Sequence, residues 1–315
     1  MRSLLLMPLF AAFGAQPAPD ELLPAPAAAE TGGETVALGT LATRMTVPVS
    51  IGGAASQPFV IDTGAERSVV SRQLAERLQL AAGPQVRLTT MTGSARVQTV
   101  VVPSLSVGPV RDVRAFNAPA LEAGHLGAQG LLGVEQLRNH MVAIDFDRRE
   151  MAVRPSRGTS RARSVARDAD EIVVIARNRM GQLIVTEAQL EGHRVTVVLD
   201  TGSQVSMGNL ALQRRLRRTA LKGPIELSSV TGEKLTVNYH IAGRVQIGGV
   251  VMRGLPVAFA DVPPFAHFGL SEEPALMLGM DALRAFRRVE IDFPARRVRF
   301  LMPRSGTPPT GSRIG

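Results

Sequence analysis

At 315 residues, 45% hydrophobic and 20% charged, the chain has globular composition and enough length for one large or two medium domains, which excludes disorder as its dominant state. It has no cysteine, so a disulfide scaffold, a zinc ribbon, an iron–sulfur cluster and a cysteine nucleophile are excluded together. The formal charge of +9 would suit an anionic partner, but only 4% of residues are aromatic, with one Tyr and no Trp. Base-stacking platforms are poorly supplied, and no nucleic-acid partner is expected.

The chain opens on Met1, Arg2 and Ser3 and an apolar run over 4–13, too short to cross a bilayer as a helix. This predicts a secretory signal peptide over 1–18, with cleavage choices at Ala12, Gly14, Ala15 and Ala18, followed by a Pro- and Ala-rich tether over 19–35. No later segment is apolar enough to span a membrane, and no cysteine follows the apolar run to carry a lipid. The expectation is an exported protein, periplasmic or secreted.

Two stretches, 36–153 and 171–303, are built of short Val- and Ile-rich runs such as 45–51, 97–102, 172–176 and 195–199, separated by Gly, Pro, Asn or Ser. Those are strand signals. Helical pattern is confined to 71–80 and 209–218, with Ser71 and Asn209 as N-caps at equivalent places, and to 134–139 and 280–286. Between the stretches, 154–170 carries Arg154, Arg157, Arg161, Arg163 and Arg167, interspersed with Pro, Ser, Gly and Ala, and reads as a solvated linker. The basic cluster Arg214, Arg215, Arg217, Arg218 and Lys222 is read the same way, and 304–315 as a flexible tail.

The two halves repeat one another. Phe59-Val60-Ile61-Asp62-Thr63-Gly64-Ala65 matches Val197-Val198-Leu199-Asp200-Thr201-Gly202-Ser203, and Ser68 matches Ser206 in the same register. Met91-Thr92-Gly93 then matches Val230-Thr231-Gly232, Leu131-Leu132-Gly133 matches Met277-Leu278-Gly279, and Ile144-Asp145-Phe146 matches Ile291-Asp292-Phe293. One Asp-Thr-Gly would mean little, since a given tripeptide arises by chance at about one position in several thousand. Two copies, each behind an apolar strand and ahead of the same later landmarks, mark a tandem duplication: two small β-barrel-like lobes, each with two short helices.

On these residues, over about 41–303, the chain resembles the aspartic proteases, specifically the retropepsin-like family in its bacterial exported form, with two such domains fused in one chain as in the pepsins. The resemblance implies an all-β fold with a few short helices, two tandem acid-protease lobes in a bilobal arrangement. It implies an aspartic endopeptidase in which Asp62 and Asp200 meet at the lobe interface and activate one water. Hydrolysis without a metal or covalent intermediate requires one group to take a proton from water while another gives one, and two adjoining carboxyls that share a proton can do both. Thr63 and Thr201 are expected to bond across to the opposite lobe, and Gly64 and Gly202 to let backbone approach the carboxylates. Ala65 and Ser203 break the symmetry: a Ser203 hydroxyl donating to Asp200 would favour its charged form and leave Asp62 the more readily protonated partner.

In this family the hairpins at 89–98 and 228–237 correspond to the flap over the cleft, so Met91, Thr92, Gly93, Val230, Thr231 and Gly232 are candidate substrate contacts to an extended polypeptide. The insertion over 260–275, with Phe265 and Phe268, forms either a side-chain pocket or packing for its own lobe. His125, His140, His193, His240 and His267 show no metal-ligand spacing, so neither metal nor cofactor is expected. Asp145 and Asp292 read as turn or salt-bridge residues. A fused chain carrying both Asp-Thr-Gly copies needs no second subunit, which implies a monomer. The competing reading is a non-catalytic peptide-binding protein of the cell envelope, and the Arg clusters could hold either to an acidic polymer.

Overall fold

The structure, a computed structural model, describes residues 45–108, 110–112, 114–156, 171–179, 182–216 and 222–303, with the backbone of 3–5 and 34–36. Most of the expected signal peptide and tether, linker residues 157–170, Arg217, Arg218 and the tail from 304 lie outside these residues.

The protein is mostly β and bilobal, and the duplication sets its architecture. In the N-terminal lobe the strands lie in the order Ser3–Leu5, Ala82–Thr89, Ser94–Val102, Phe116–Leu121, Val69–Ser71, Gly130–Leu132, Gln57–Ile61, Thr46–Ile51, Leu105–Val107 and Val110–Asp112. In the C-terminal lobe the order is Pro224–Ser228, Lys234–Ala242, Leu255–Phe259, Ser206–Gly208, Ala275–Leu278, His193–Leu199, Gln182–Leu190, Val245–Ile247, Val250–Met252 and Glu34–Val36. Setting aside Ser3–Leu5, Glu34–Val36 and Arg177–Arg179, which pairs with Gln182–Leu190 off this order, the strands correspond one for one. Glu34–Val36, where the expected tether meets the expected N-terminal lobe, runs parallel to Val250–Met252 of the C-terminal lobe.

The strands that lead into the Asp-Thr-Gly segments sit near the middle of these sheets. Gln57–Ile61 pairs in parallel with Gly130–Leu132, and His193–Leu199 with Ala275–Leu278. Strands covered on both faces are apolar throughout rather than alternating, which is why Phe59, Val60 and Ile61, and Val197, Val198 and Leu199, are all buried.

A third sheet joins the halves. Its order is Glu150–Pro155, His140–Asp145, Arg288–Asp292, Arg297–Leu301 and Glu171–Ile175, and His140–Asp145 pairs antiparallel with Arg288–Asp292. Alternate residues Val142, Ile144, Val289, Ile291, Val298 and Phe300 face one core that also contains residues of both lobes. Asp145 accepts from the Arg148 N–H and Asp292 from the Ala295 N–H, each at 3.0 Å, as turn residues do.

The helices Arg72–Arg77 and Leu210–Arg215 start where expected, because Ser71 accepts from the Leu74 N–H and Asn209 from the Leu212 N–H. Val134–Leu137 and Met280–Leu283 follow Gly133 and Gly279 directly. Ala123–Leu126 and Pro263–His267 form a further pair of helices that periodicity misses, being too short to complete an amphipathic pattern. Phe265 and Phe268 of the 260–275 insertion are buried within the C-terminal lobe.

Candidate active site

Each Asp-Thr-Gly segment is a tight turn at the end of a buried strand, held from below and across. Asp62 Oδ1 accepts from the Gly64 and Ala65 N–H groups, both at 2.9 Å; Asp200 Oδ1 accepts from Gly202 at 3.0 Å and Ser203 at 3.1 Å. One oxygen of each carboxyl is thus fixed by its own turn, in the same way in both lobes. The threonines then tie the turns together. The Thr63 hydroxyl donates to the Leu199 carbonyl (2.8 Å) and accepts from the Thr201 N–H (3.1 Å), while the Thr201 hydroxyl donates to the Ile61 carbonyl (2.7 Å) and accepts from the Thr63 N–H (3.1 Å). All four bonds cross between lobes and are buried, away from competing water.

Gly202 shows how closely the turns approach. A Cβ at this position would fall within the van der Waals envelope of the Asp62 carboxyl carbon and both its oxygens. Asp62 of one lobe therefore lies against the backbone two residues beyond Asp200. Both aspartates are 0% exposed, so the pair is enclosed.

Beneath each turn lies a clasp that sequence reasoning missed. Met280 and Asp281 donate their N–H groups to the Ser203 and Gln204 carbonyls; Val134 and Glu135 do the same to Ala65 and Glu66. Ser206 donates its N–H to Asp281 Oδ2 (2.9 Å) and its hydroxyl to Asp281 Oδ1 (2.7 Å), and that hydroxyl accepts from the Gly279 N–H (3.0 Å). In the N-terminal lobe Ser68 donates its N–H to Glu135 (2.9 Å) and its hydroxyl accepts from the Gly133 N–H (3.1 Å). The signal was available: an acid stands two residues after the glycine in both Leu-Leu-Gly-Val-Glu and Met-Leu-Gly-Met-Asp. Burial pushes the Asp281 carboxyl up to about 6, against the opposing pull of its Ser206 and Ala282 hydrogen bonds. Burial also raises Glu135, opposed by its bond from Ser68 and by the nearby Arg67 guanidinium.

The expected bond from the Ser203 hydroxyl to Asp200 is not made. That hydroxyl donates to the Val205 carbonyl (2.7 Å) and accepts from the Val205 N–H (3.3 Å), a local turn that a serine satisfies without the carboxylate. Ser203 supports Asp200 through its backbone, as Ala65 supports Asp62, and the asymmetry predicted from the two residues loses its basis.

The two hairpins carry the remaining expected residues to one place. Ala82–Thr89 with Ser94–Val102, and Pro224–Ser228 with Lys234–Ala242, bring their turns together across the lobe boundary. Thr92 donates to the Glu233 carboxylate, and Gly232, at φ +88°, packs so closely on the His125 ring that no Cβ would fit. Met91 and Val230 are buried; Thr92, Gly93, Thr231 and Gly232 are partly exposed. Among the described residues, no group of three or more His, Asp or Glu side chains lies together as a metal would require.

A family model described as aspartyl protease matches residues 47–135 and again residues 186–282, more than half of the chain in all. The chain belongs to that family. Among solved structures it is similar to a retropepsin-like aspartic protease from Rickettsia conorii, at 19% identity over 42% of this chain and 90% of that chain, with a TM-score of 0.30. No curated protein matches the chain. Among the described residues no helix is long and apolar enough to cross a membrane.

Proposed function

We propose that the protein is an aspartic endopeptidase that cuts extended polypeptides with a water activated between Asp62 and Asp200. The observation that carries this reading is the reciprocal threonine lock, which holds two Asp-Thr-Gly turns against each other with Gly202 on the Asp62 carboxyl. Two carboxyls so enclosed share a proton, because like charges at short range in a dry site do not both ionise. The ionised member takes a proton from water as the water adds to the scissile carbonyl, and the protonated member donates to the carbonyl oxygen. Collapse of the tetrahedral species returns a proton to the leaving amine. The Oδ1 bonds from the turn amides fix both carboxyls before substrate arrives, so little reorganisation is needed during reaction.

Both halves of the dyad come from one chain, which supports a monomeric enzyme. The N-terminal apolar run supports export to the periplasm or beyond, and N-terminal sequencing of the protein recovered from the cell envelope should begin near residue 19; an intact Met1 there would contradict export. The activity is tested by digesting a mixed peptide library at about pH 3 to 8 and reading the cut sites by mass spectrometry. Cleavage with a bell-shaped pH profile is the expected result. A folded chain that leaves every peptide intact would instead favour a peptide-binding protein without catalysis.

A further inference from the structure

Each hairpin tip is tied internally by hydrogen bonds. In one, the Thr90 N–H donates to the Gly93 carbonyl at 2.7 Å and the Thr90 and Thr92 hydroxyls pair at 3.1 Å; in the other, the Ser229 N–H donates to the Glu233 carbonyl at 2.7 Å and the Ser229 and Thr231 hydroxyls pair at 3.0 Å. Each tip presents one apolar side chain, Met91 at 4% exposure and Val230 at 0%. Neither is buried in its own lobe. Met91 belongs to an apolar cluster of the C-terminal lobe that includes Val205, Phe265 and Phe268, and Val230 to one of the N-terminal lobe that includes Ala65 and Leu126.

The location of these clusters gives the exchange its meaning. Ala65 is in the turn that holds Asp62, and Val205 closes the turn that follows Asp200. Each hairpin therefore reaches over the boundary into an apolar cluster of the other lobe that also includes a residue of that lobe's aspartate turn, Val205 for Met91 and Ala65 for Val230. With both aspartates at 0% exposure, no polypeptide reaches them until the tips lift. Lifting empties two apolar sites, which is unfavourable unless other apolar groups refill them. An extended chain can supply such groups, because its consecutive side chains point to opposite sides.

Resting on the protease reading, we propose that Met91 and Val230 occupy the two side-chain sites that substrate uses on either side of the scissile bond, so that the hairpin tips compete with substrate and set its specificity. The site filled by Met91, beside Asp200, takes a long apolar side chain such as Leu, Met or Phe. The site filled by Val230, beside Asp62, takes a shorter one such as Val or Ala. The Thr92–Glu233 bond and the seat of Gly232 on His125 hold the tips down between turnovers.

The test measures binding of fluorescein-labelled peptides by anisotropy, and cleavage in parallel, for the wild type, Met91→Ala and Val230→Ala, each checked for folding by circular dichroism. Met91→Ala should bind peptides carrying Leu, Met or Phe about tenfold more tightly, with KM falling similarly and kcat changing less than about threefold, since much of a buried side chain's hold on the tip is removed. Val230→Ala should gain only about threefold, at the neighbouring peptide position, because less apolar side-chain surface is removed. Unchanged or weaker binding by Met91→Ala would overturn the proposal, the tip then being a substrate contact rather than a competitor.

A second arm does not depend on the truncated variants folding. Because the chain has no cysteine, a short bismaleimide added under reducing conditions joins Thr92→Cys to Glu233→Cys and finds no other thiol in the chain. Joining the tips should lower peptide binding and cleavage at least about tenfold relative to the same protein before the reaction. Equal binding before and after would overturn the proposal. If the wild type cuts nothing, the protease reading fails, while the anisotropy results still decide whether the tips occupy the peptide's side-chain sites.

Discussion

The turn after Asp62 and the turn after Asp200 are held by the same device built from different acids. In the C-terminal lobe the short, buried Asp281 places both oxygens on Ser206 and also accepts from the Ala282 N–H at 2.8 Å. In the N-terminal lobe Glu135 is one methylene longer, keeps 23% of its side chain exposed, accepts from the Ser68 N–H and lies 3.9 Å from the Arg67 guanidinium. A duplicated backbone site can thus be supported by a fully desolvated carboxyl or by a partly hydrated one beside a cation. The first is more sensitive to pH, because desolvation penalises only its charged form.

The largest effects are expected at the threonine lock, which the two lobes share equally. Thr63→Val and Thr201→Val each remove a hydroxyl that makes two buried bonds, leaving a carbonyl and an N–H without them. Each should cost about 2–5 kcal/mol in urea unfolding, and the two costs should agree within about 1 kcal/mol. A large inequality would mean that the lock is not reciprocal in energy.

Asp281→Asn sharpens the difference between the clasps. The Asp281 carboxyl titrates near 6 in the folded chain against 3.8 ordinarily, so between those values the folded state holds a proton that the unfolded state has lost. Its contribution to stability is full below pH 3.8 and is lost as pH rises through about 6. The wild type should lose up to about 3 kcal/mol over that window from this group, and Asp281→Asn should flatten the loss in urea titrations at several pH values. Glu135→Gln should act in the same direction and by less, its site being partly hydrated. The smallest effect is expected from Ala65→Ser. By analogy with Ser203 the new hydroxyl would turn to the backbone two residues on, so the acid limb of activity should not move. A downward shift would restore the asymmetry first read from these two positions.

Both aspartates, their threonines and the two hairpin tips were legible because a repeat doubles every weak signal: Asp-Thr-Gly behind an apolar strand is ambiguous once and informative twice. The caps at Ser71 and Asn209 were legible because capping is local. The Ser203 hydroxyl was misassigned because its choice between a carboxylate and its own backbone depends on a turn geometry that residue types do not specify. Glu135 and Asp281 were overlooked although they repeat, since an acid at the start of a short helix is ordinarily read as helix-end electrostatics. The crossing of Met91 and Val230 into opposite lobes is a tertiary exchange, and no local pattern distinguishes an apolar hairpin tip that is exposed from one buried in a partner.

If Asp62 and Asp200 act as one proton-sharing unit, neither can be spared. The most direct measurement compares peptide cleavage by the wild type with that of Asp62→Asn and Asp200→Asn, both shown by circular dichroism to be folded. Loss of about 10³-fold or more in kcat for each variant, with the double variant no worse than either, is the predicted result. Substantial cleavage surviving in either single variant would contradict it.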